Sequence, residues 1–103
     1  MTKPTFIRIT PAGEVTETPL DHVPTLAELQ AGVVGDIEIV PHFTRYAGSR
    51  CVAFCNEEGK LESFPVNAIA TRLWREQFKR RLDDFLVGDI VIVAGPPAFL
   101  NRM

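Results

Sequence analysis

The chain has 103 residues, of which 46% are hydrophobic and 23% charged, and this composition excludes a disordered or fibrous protein. Lys and Arg number 11 against 13 Asp and Glu, so the net charge is −2, which excludes a general coat for nucleic acid but not a local basic patch. No apolar run approaches the ~18 residues that a membrane span needs. No secretory signal precedes the first strand, so we expect a cytoplasmic protein without membrane contact.

The N-terminal third predicts a hairpin and a short helix. Residues 5–10 and 15–18 are rich in β-forming side chains, and a Pro–Ala–Gly turn joins them. Thr25 and Glu28 match a capping box, in which each side chain accepts a hydrogen bond from the other residue's backbone N–H. The helix that follows is expected to end at Gly32.

The middle of the chain predicts strands separated by turns. Residues 36–40 alternate as a strand, and residues 42–49 are polar and predict a loop. The apolar run 50–55 is typical of a central strand. Residues 56–60 predict a hairpin turn, with its glycine at positive φ, and residues 61–64 predict the returning strand.

The C-terminal part predicts the longest helix and one further strand. Asn67 is a good N-cap for a helix that runs from residue 68 to between 79 and 82. Residues 89–94 form a strongly apolar strand that ends at Gly95 and the two prolines. The elements therefore predict a single α+β domain over residues 6–95. Its antiparallel or mixed sheet would have about five or six strands, with one long and one short helix.

The C-terminal tail and the two cysteines complete the organisation of the chain. Residues 96–103 would form a tail that frays or docks through its apolar side chains. Cys51 and Cys55 would lie on one face of a strand, roughly 13 Å apart along the backbone, which is too far for a disulfide. Their spacing is not that of a zinc half-site. We expect both to be small, reduced core residues.

Five short motifs occur in a fixed order along the chain: Pro11-x-Gly13, Val34-Gly35-x-Ile37-Glu38-x-Val40, Asn56-Glu57-Glu58-Gly59-Lys60, Asn67-x-x-Ala70-Thr71 and Gly88-Asp89-Ile90-Val91. In that order the chain resembles an uncharacterised family of small proteins from phage, plasmid and actinobacterial genomes. The resemblance would cover about residues 6–94 and implies a gene of a phage or mobile element, expressed in a bacterial cytoplasm. It implies no catalytic activity.

Polar residues inside these motifs are the candidates for a ligand site: Glu38, Asn56, Glu57, Asn67 and Thr71. Strand alternation favours a solvent-exposed or edge position for Glu38. Alternatively, Glu38 would bind Asn67 or Thr71 and orient a pocket for a small polar ligand at the start of the long helix. Turn and cap roles explain the asparagines equally well.

Basic residues on the long helix are the candidates for partner binding. Arg72, Arg75 and Lys79 are three and four residues apart, so they share one helical face, with Trp74 and Phe78 between them. This face could contact an acidic protein or phosphates. A solvated face that complements the helix dipole is the simpler interpretation.

No catalytic motif is evident. His22 and His42 lie in separate predicted loops, Ser49 and Ser63 have no evident base, and no glycine-rich nucleotide loop occurs. We therefore expect no metal or cofactor and lean against an enzyme.

The function we favour from these observations is a non-enzymatic interaction module of phage or mobile-element origin that acts on a host protein or small ligand. Its face would be the long helix and the adjoining turn at 56–60. The alternatives are a nucleotide-like ligand site or small enzyme at the start of that helix, and nucleic-acid binding through the basic helix, which is less favoured. Exposed sheet edges also allow a homodimer.

Overall fold

The computed structural model describes residues 3–78 and 83–103, and in these residues the chain forms six strands and three helices. This arrangement confirms the α+β class. In chain order the elements are β1 (Thr5–Ile9), β2 (Val15–Pro19), α1 (Leu26–Val33), β3 (Ile37–Ile39), β4 (Arg45–Tyr46), β5 (Ser49–Asn56), α2 (Ala68–Arg75), β6 (Ile90–Ala94) and α3 (Pro97–Leu100).

The strands form one antiparallel sheet in the order β2-β1-β6-β5-β3, and β4 pairs with the beginning of β5. The last strand of the chain thus lies in the middle of the sheet, where Ile92 is opposite Ile7 on one side and Ala53 on the other. The predicted central position of the apolar run in β5 is confirmed. Strands β2 and β3 form the two edges, so the short β3 places its side chains beside solvent.

Helices cover both faces of the sheet, and side-chain alternation divides the core into two layers. On one face Ile7, Ile92 and Ala53 pack under Ala70 and Trp74 of α2. The opposite layer contains side chains of α1 and the central strands, with two residues of α3 packed against them: Leu29, Val33, Phe54, Val91, Val93, Phe99 and Leu100. Because β6 is covered on both faces, all five of its residues are buried, which explains its continuous apolar sequence.

Helix α1 begins as predicted but ends later. Thr25 Oγ1 accepts from the Glu28 N–H at 3.2 Å, and Glu28 Oε1 accepts from the Thr25 N–H at 3.0 Å. The predicted stop at Gly32 is wrong, since the helix continues to Val33 and its left-handed cap is Val34, with φ 61°. Gly32 serves close packing instead, because a Cβ there would lie 2.4 Å from Val91 Cγ2.

The polar segment 42–49 contains a short strand that the sequence did not predict. Arg45 and Tyr46 of β4 pair with Arg50 and Ser49 across a tight reversal at Ala47 and Gly48, both of which have positive φ. The prediction of a loop throughout this segment is therefore wrong at three residues: Arg45 and Tyr46 of β4, and Ser49, which begins β5.

The predicted returning strand at 61–64 is also wrong. The backbone N–H of Glu62 donates to the Glu58 carbonyl and that of Phe64 to the Gly59 carbonyl, at 2.9 and 3.0 Å, so these groups close turns. Positive φ occurs at Ser63 (φ 55°) and not at the expected Gly59. Leu61 is 86% exposed, so the segment lacks the buried face that would hold it in the sheet.

Helix α2 has eight residues and ends at Arg75, so it is shorter than the predicted long helix. Beyond it, Gln77 Oε1 accepts from the backbone N–H groups of Thr44 and Arg45 at 2.8 and 3.0 Å, and its Nε2 donates to the Arg45 carbonyl. These long-range bonds tie the chain to the β4 reversal, which helical periodicity cannot reveal. The predicted extension over 79–82 lies outside the described residues.

The C-terminal tail contains α3, a single helical turn that starts at Pro97. Phe99 and Leu100 are partly buried against the core layer of α1, which confirms the docked alternative for the tail. Within the described residues, no helix is both long and apolar enough to cross a membrane.

Candidate functional site

The structure separates the five predicted ligand residues into two groups. Glu38, Asn56 and Glu57 lie where β3 pairs with the end of β5, whereas Asn67 and Thr71 lie at the start of α2. Glu38 is exposed on the edge strand, as strand alternation predicted, and its partner across the sheet is Cys55. The polar side chains of the two groups do not converge on one pocket at the start of α2.

Asn67 is fully buried and its side chain is used within the protein. Its Nδ2 donates to the carbonyls of Ile9 and Gly88 at 2.8 and 2.9 Å, and its Oδ1 accepts from the Ala70 N–H at 3.1 Å. The predicted N-cap is confirmed, and the same side chain also joins α2 to β1 and to the entrance of β6. Both amide donors are used, and the side chain is fully buried, so it is not accessible to a ligand.

Thr71 and Asn56 have comparable structural contacts. Thr71 Oγ1 accepts from the Leu86 N–H at 2.9 Å and is 3.4 Å from the Leu86 carbonyl. Asn56 Nδ2 donates to the carbonyls of Val33 and Val34, and its Oδ1 accepts from the Glu58 N–H at 2.8 Å. These residues therefore fix the ends of helices and a turn.

A cleft lies between the end of β3, the end of β5 and the segment that precedes β6. Its volume is about 280 Å³, close to the lower limit of small-molecule pockets. Charged, aromatic and aliphatic side chains share its wall. We call this cavity the edge cleft; it is lined by Glu38, Ile39, Val40, Pro41, Cys55, Asn56, Glu57, Lys60, Trp74, Asp84, Phe85, Leu86 and Val87.

Lys60 spans one side of the edge cleft. Its ammonium group forms an ion pair with Asp84 and lies 4.7 Å from the centre of the Phe85 ring. The hydrogen bond from Lys60 holds the pKa of the Asp84 carboxyl below its usual range, helped by the backbone N–H of Phe85 and by the nearby Arg75 charge. Trp74 also lines the cleft, and its Nε1 donates to the Pro41 carbonyl at 2.8 Å.

The thiol of Cys55 lines the same cleft. Burial, together with the neighbouring Glu38 charge and against an opposing effect of Lys60, raises the pKa of Cys55 to about 11. Burial also raises the pKa of Cys51 to about 12. Both cysteines are free, as predicted. A thiol with such a pKa carries very little thiolate at neutral pH, so neither cysteine is an activated nucleophile.

A second concavity, the α2 groove, lies on the outer side of α2. Val66, Ala68 and Phe85 form its apolar part, and Phe85 also lines the edge cleft. The predicted partner-binding residues Arg72 and Arg75 flank it, with Thr71 and Glu76. The third predicted residue, Lys79, lies outside the described residues.

His22 lies between two carboxylates, an arrangement that the sequence analysis missed. Its Nδ1 is 2.6 Å from Asp21 Oδ1 and its Nε2 is 2.8 Å from Glu28 Oε1. The hydrogen bond to Asp21, followed by that to Glu28, raises the pKa of His22. The acid at position 21 and the capping-box Glu28 were the available signals. Across the described ranges, no group of three or more His, Cys, Asp or Glu side chains is arranged to hold a metal ion.

The sequence analysis missed the residues that shape the edge cleft: Lys60, Trp74, Asp84 and Phe85. Lys60 and Asp84 are distant in sequence, and each looks like an ordinary surface charge locally. Only the approach of the segment before β6 to the end of β5 brings them together.

Comparison with known proteins assigns the chain to a family. The family model described as Domain of unknown function (DUF3846) matches residues 2–98. The chain belongs to this family. Searches of the curated proteins and of the solved structures found no significant match. Membership in DUF3846 confirms the expected assignment to an uncharacterised family. The matched residues include the lining of both the edge cleft and the α2 groove.

Proposed function

We propose that this DUF3846 protein is a non-enzymatic interaction module whose α2 groove binds an acidic, partly apolar segment of a partner protein. The observation that carries the proposal is an exposed apolar surface flanked by two arginines. Val66 is 53% exposed and Phe85 39% exposed. Contiguous exposed apolar surface with a charged rim is typical of protein-binding sites.

The arginines favour a carboxylate-bearing partner. Arg72 and Arg75 lie three residues apart on one face of α2, and both are exposed. Arg75 Nε and Nη2 donate to the Asp84 carbonyl at 3.1 and 3.0 Å, so its guanidinium is ordered before a partner arrives, which reduces the entropy cost of binding. Guanidinium groups bind carboxylates through paired hydrogen bonds.

Two alternatives have weaker support from the geometry. For nucleic acid, the described part of the helix offers two arginines beside Glu76, in a chain of net charge −2. For a nucleotide-like ligand or a small enzyme site at the start of α2, Asn67 is committed to internal hydrogen bonds. The proposed host setting, a bacterial cytoplasm with an origin in a phage or mobile element, is supported by the resemblance of the sequence motifs.

The test is selection of a random-peptide display library on the immobilised protein, with counter-selection on an Arg72→Ala/Val66→Ser variant. We expect enriched peptides to combine acidic and apolar residues. Arg72→Ala should weaken binding of a synthetic peptide by about fivefold to tenfold, as for one charge-assisted contact. The matched control Arg102→Ala, beyond α3 on the opposite face, should leave the affinity unchanged.

The selection also distinguishes the alternatives. Enrichment of basic peptides, or equal recovery on the variant, would refute the groove as a site for acidic segments. A thymidine oligonucleotide that binds more tightly than any selected peptide, with an affinity that falls steeply with salt, would favour the nucleic-acid alternative.

A further inference from the structure

The edge cleft combines a cavity, an aromatic wall and an excess of negative charge. Glu38, Glu57 and Asp84 contribute three carboxylates to its lining, and Lys60 contributes the one ammonium group among the described lining residues. We propose that this cleft binds a small organic cation, an alkylguanidinium or alkylammonium group, in place of Lys60. This proposal does not depend on the α2 groove.

Lys60 shows which chemistry the cleft accepts. Its ammonium group is held by the Asp84 carboxylate and by the face of the Phe85 ring, 4.7 Å from the ring centre. A carboxylate and an aromatic face together are the features that recognise organic cations. The side chain of Lys60 therefore acts as a tethered occupant of the cation position, attached to the turn after β5.

The ion pair between Lys60 and Asp84 is exposed enough for a free cation to replace Lys60. The side chains of Lys60 and Asp84 are 51% and 48% exposed, and ion pairs of this exposure are weak because water and salt screen them. A free cation can therefore displace Lys60, which swings into solvent on its flexible stem. Lys60 and the ligand compete for the same position. Removal of the Lys60 ammonium group should therefore raise the apparent affinity for the ligand.

The remaining wall defines the shape of the ligand. A volume of about 280 Å³ accommodates a guanidinium or ammonium group with a short alkyl chain. Ile39, Trp74 and Val87 supply apolar surface for that chain, whereas Glu38 and Glu57 extend the negative charge beyond Asp84. A ligand with a cationic group at each end, such as agmatine, matches this distribution.

The single tryptophan of the chain provides the assay. Trp74 lines the cleft, so its indole N–H resonance should shift when a ligand enters. Agmatine and spermidine serve as free cations, N-acetyl-arginine amide represents an arginine side chain within a polypeptide, and propylurea is the uncharged control. We expect saturable shifts with the cations and none with propylurea.

Variants test the role of each charge. Lys60→Met, which keeps most of the stem, should tighten agmatine binding by about threefold to tenfold, and Asp84→Asn should weaken it by a similar factor. The matched controls Lys3→Met and Glu62→Gln change the same charges outside the cleft and should have little effect. Melting curves establish that each variant is folded.

Three results would overturn the proposal: no saturable shift with any cation, an equal shift with propylurea, or unchanged agmatine affinity in both Lys60→Met and Asp84→Asn. Binding of agmatine but not of N-acetyl-arginine amide would identify a free metabolite as the ligand. The reverse would identify an arginine side chain of a polypeptide. Arg72→Ala should leave the affinity for agmatine unchanged, which separates this test from the test of the α2 groove.

Discussion

Asn67 offers the sharpest test of how this fold is held together. Its fully buried side chain forms three hydrogen bonds with backbone groups: the carbonyls of Ile9 and Gly88 and the N–H of Ala70. One amide therefore connects the first strand, the entrance to the last strand and the N-terminus of α2. Asn67→Ala removes all three bonds and leaves their partners buried.

The expected cost follows from burial. Each lost hydrogen bond contributes about 1 kcal/mol net, and a buried group without a partner costs about 1 to 3 kcal/mol when water cannot replace the lost side chain. Partial relaxation around the site reduces the sum, so we expect Asn67→Ala to lower the free energy of unfolding by about 3 to 5 kcal/mol. That is a large part of the stability of a domain of this size.

Asn56 provides a matched control. It also forms three side-chain hydrogen bonds with backbone groups, but at a partly exposed position. Water can replace most of the lost bonds, so Asn56→Ala should cost only about 1 kcal/mol. Urea unfolding followed by the fluorescence of Trp74 measures both variants. Equal losses in the two variants would refute the argument that burial of Asn67 decides its role.

Three further predictions concern packing, pH and thiol chemistry. Gly32→Ala should destabilise the protein by about 1 to 3 kcal/mol in urea unfolding, despite the better helix propensity of alanine. The reason is that the alanine Cβ would lie 2.4 Å from Val91 Cγ2. A variant more stable than wild type would contradict this. The pKa of His22 is raised in the folded protein, so its stabilising contribution is present below about pH 6.5 and is lost as the pH rises through the raised value. Wild type and His22→Ala should therefore differ in stability at pH 5.5 and converge at alkaline pH. A stability difference between them that grows with pH would contradict this sign. With its pKa raised to about 11, Cys55 should react slowly with a disulfide reagent at pH 8. Glu38→Gln should accelerate the reaction. An unchanged reaction rate would exclude the Glu38 charge as a cause of the raised pKa.

Most of the local structure could be predicted from the sequence. The β1–β2 hairpin, the capping box of Thr25, the N-cap of Asn67 and the apolar strand β6 are all recognised by patterns within a few residues. Such patterns describe hydrogen bonds and side-chain alternation between neighbours, so they are readable without knowledge of the fold.

The errors have a common physical cause. The segment at 61–64 has strand-like side chains, but no face of it becomes buried, and its backbone closes turns. Helix α2 ends early where Gln77 binds the backbone of the β4 reversal. In both places a contact, or the lack of one, with a distant part of the chain overrides local propensity.

By itself, the sequence determined the α+β class and the local elements, and its motifs pointed to the family. Only the tertiary structure decided that β6 lies at the centre of the sheet, that the Asn67 amide donors and the Thr71 hydroxyl bind distant backbone groups, and that Lys60 meets Asp84 and Phe85 in the edge cleft. The reason is that turns and caps depend on neighbouring residues, whereas a cleft depends on pairs that are distant in the chain and whose members individually resemble ordinary surface residues.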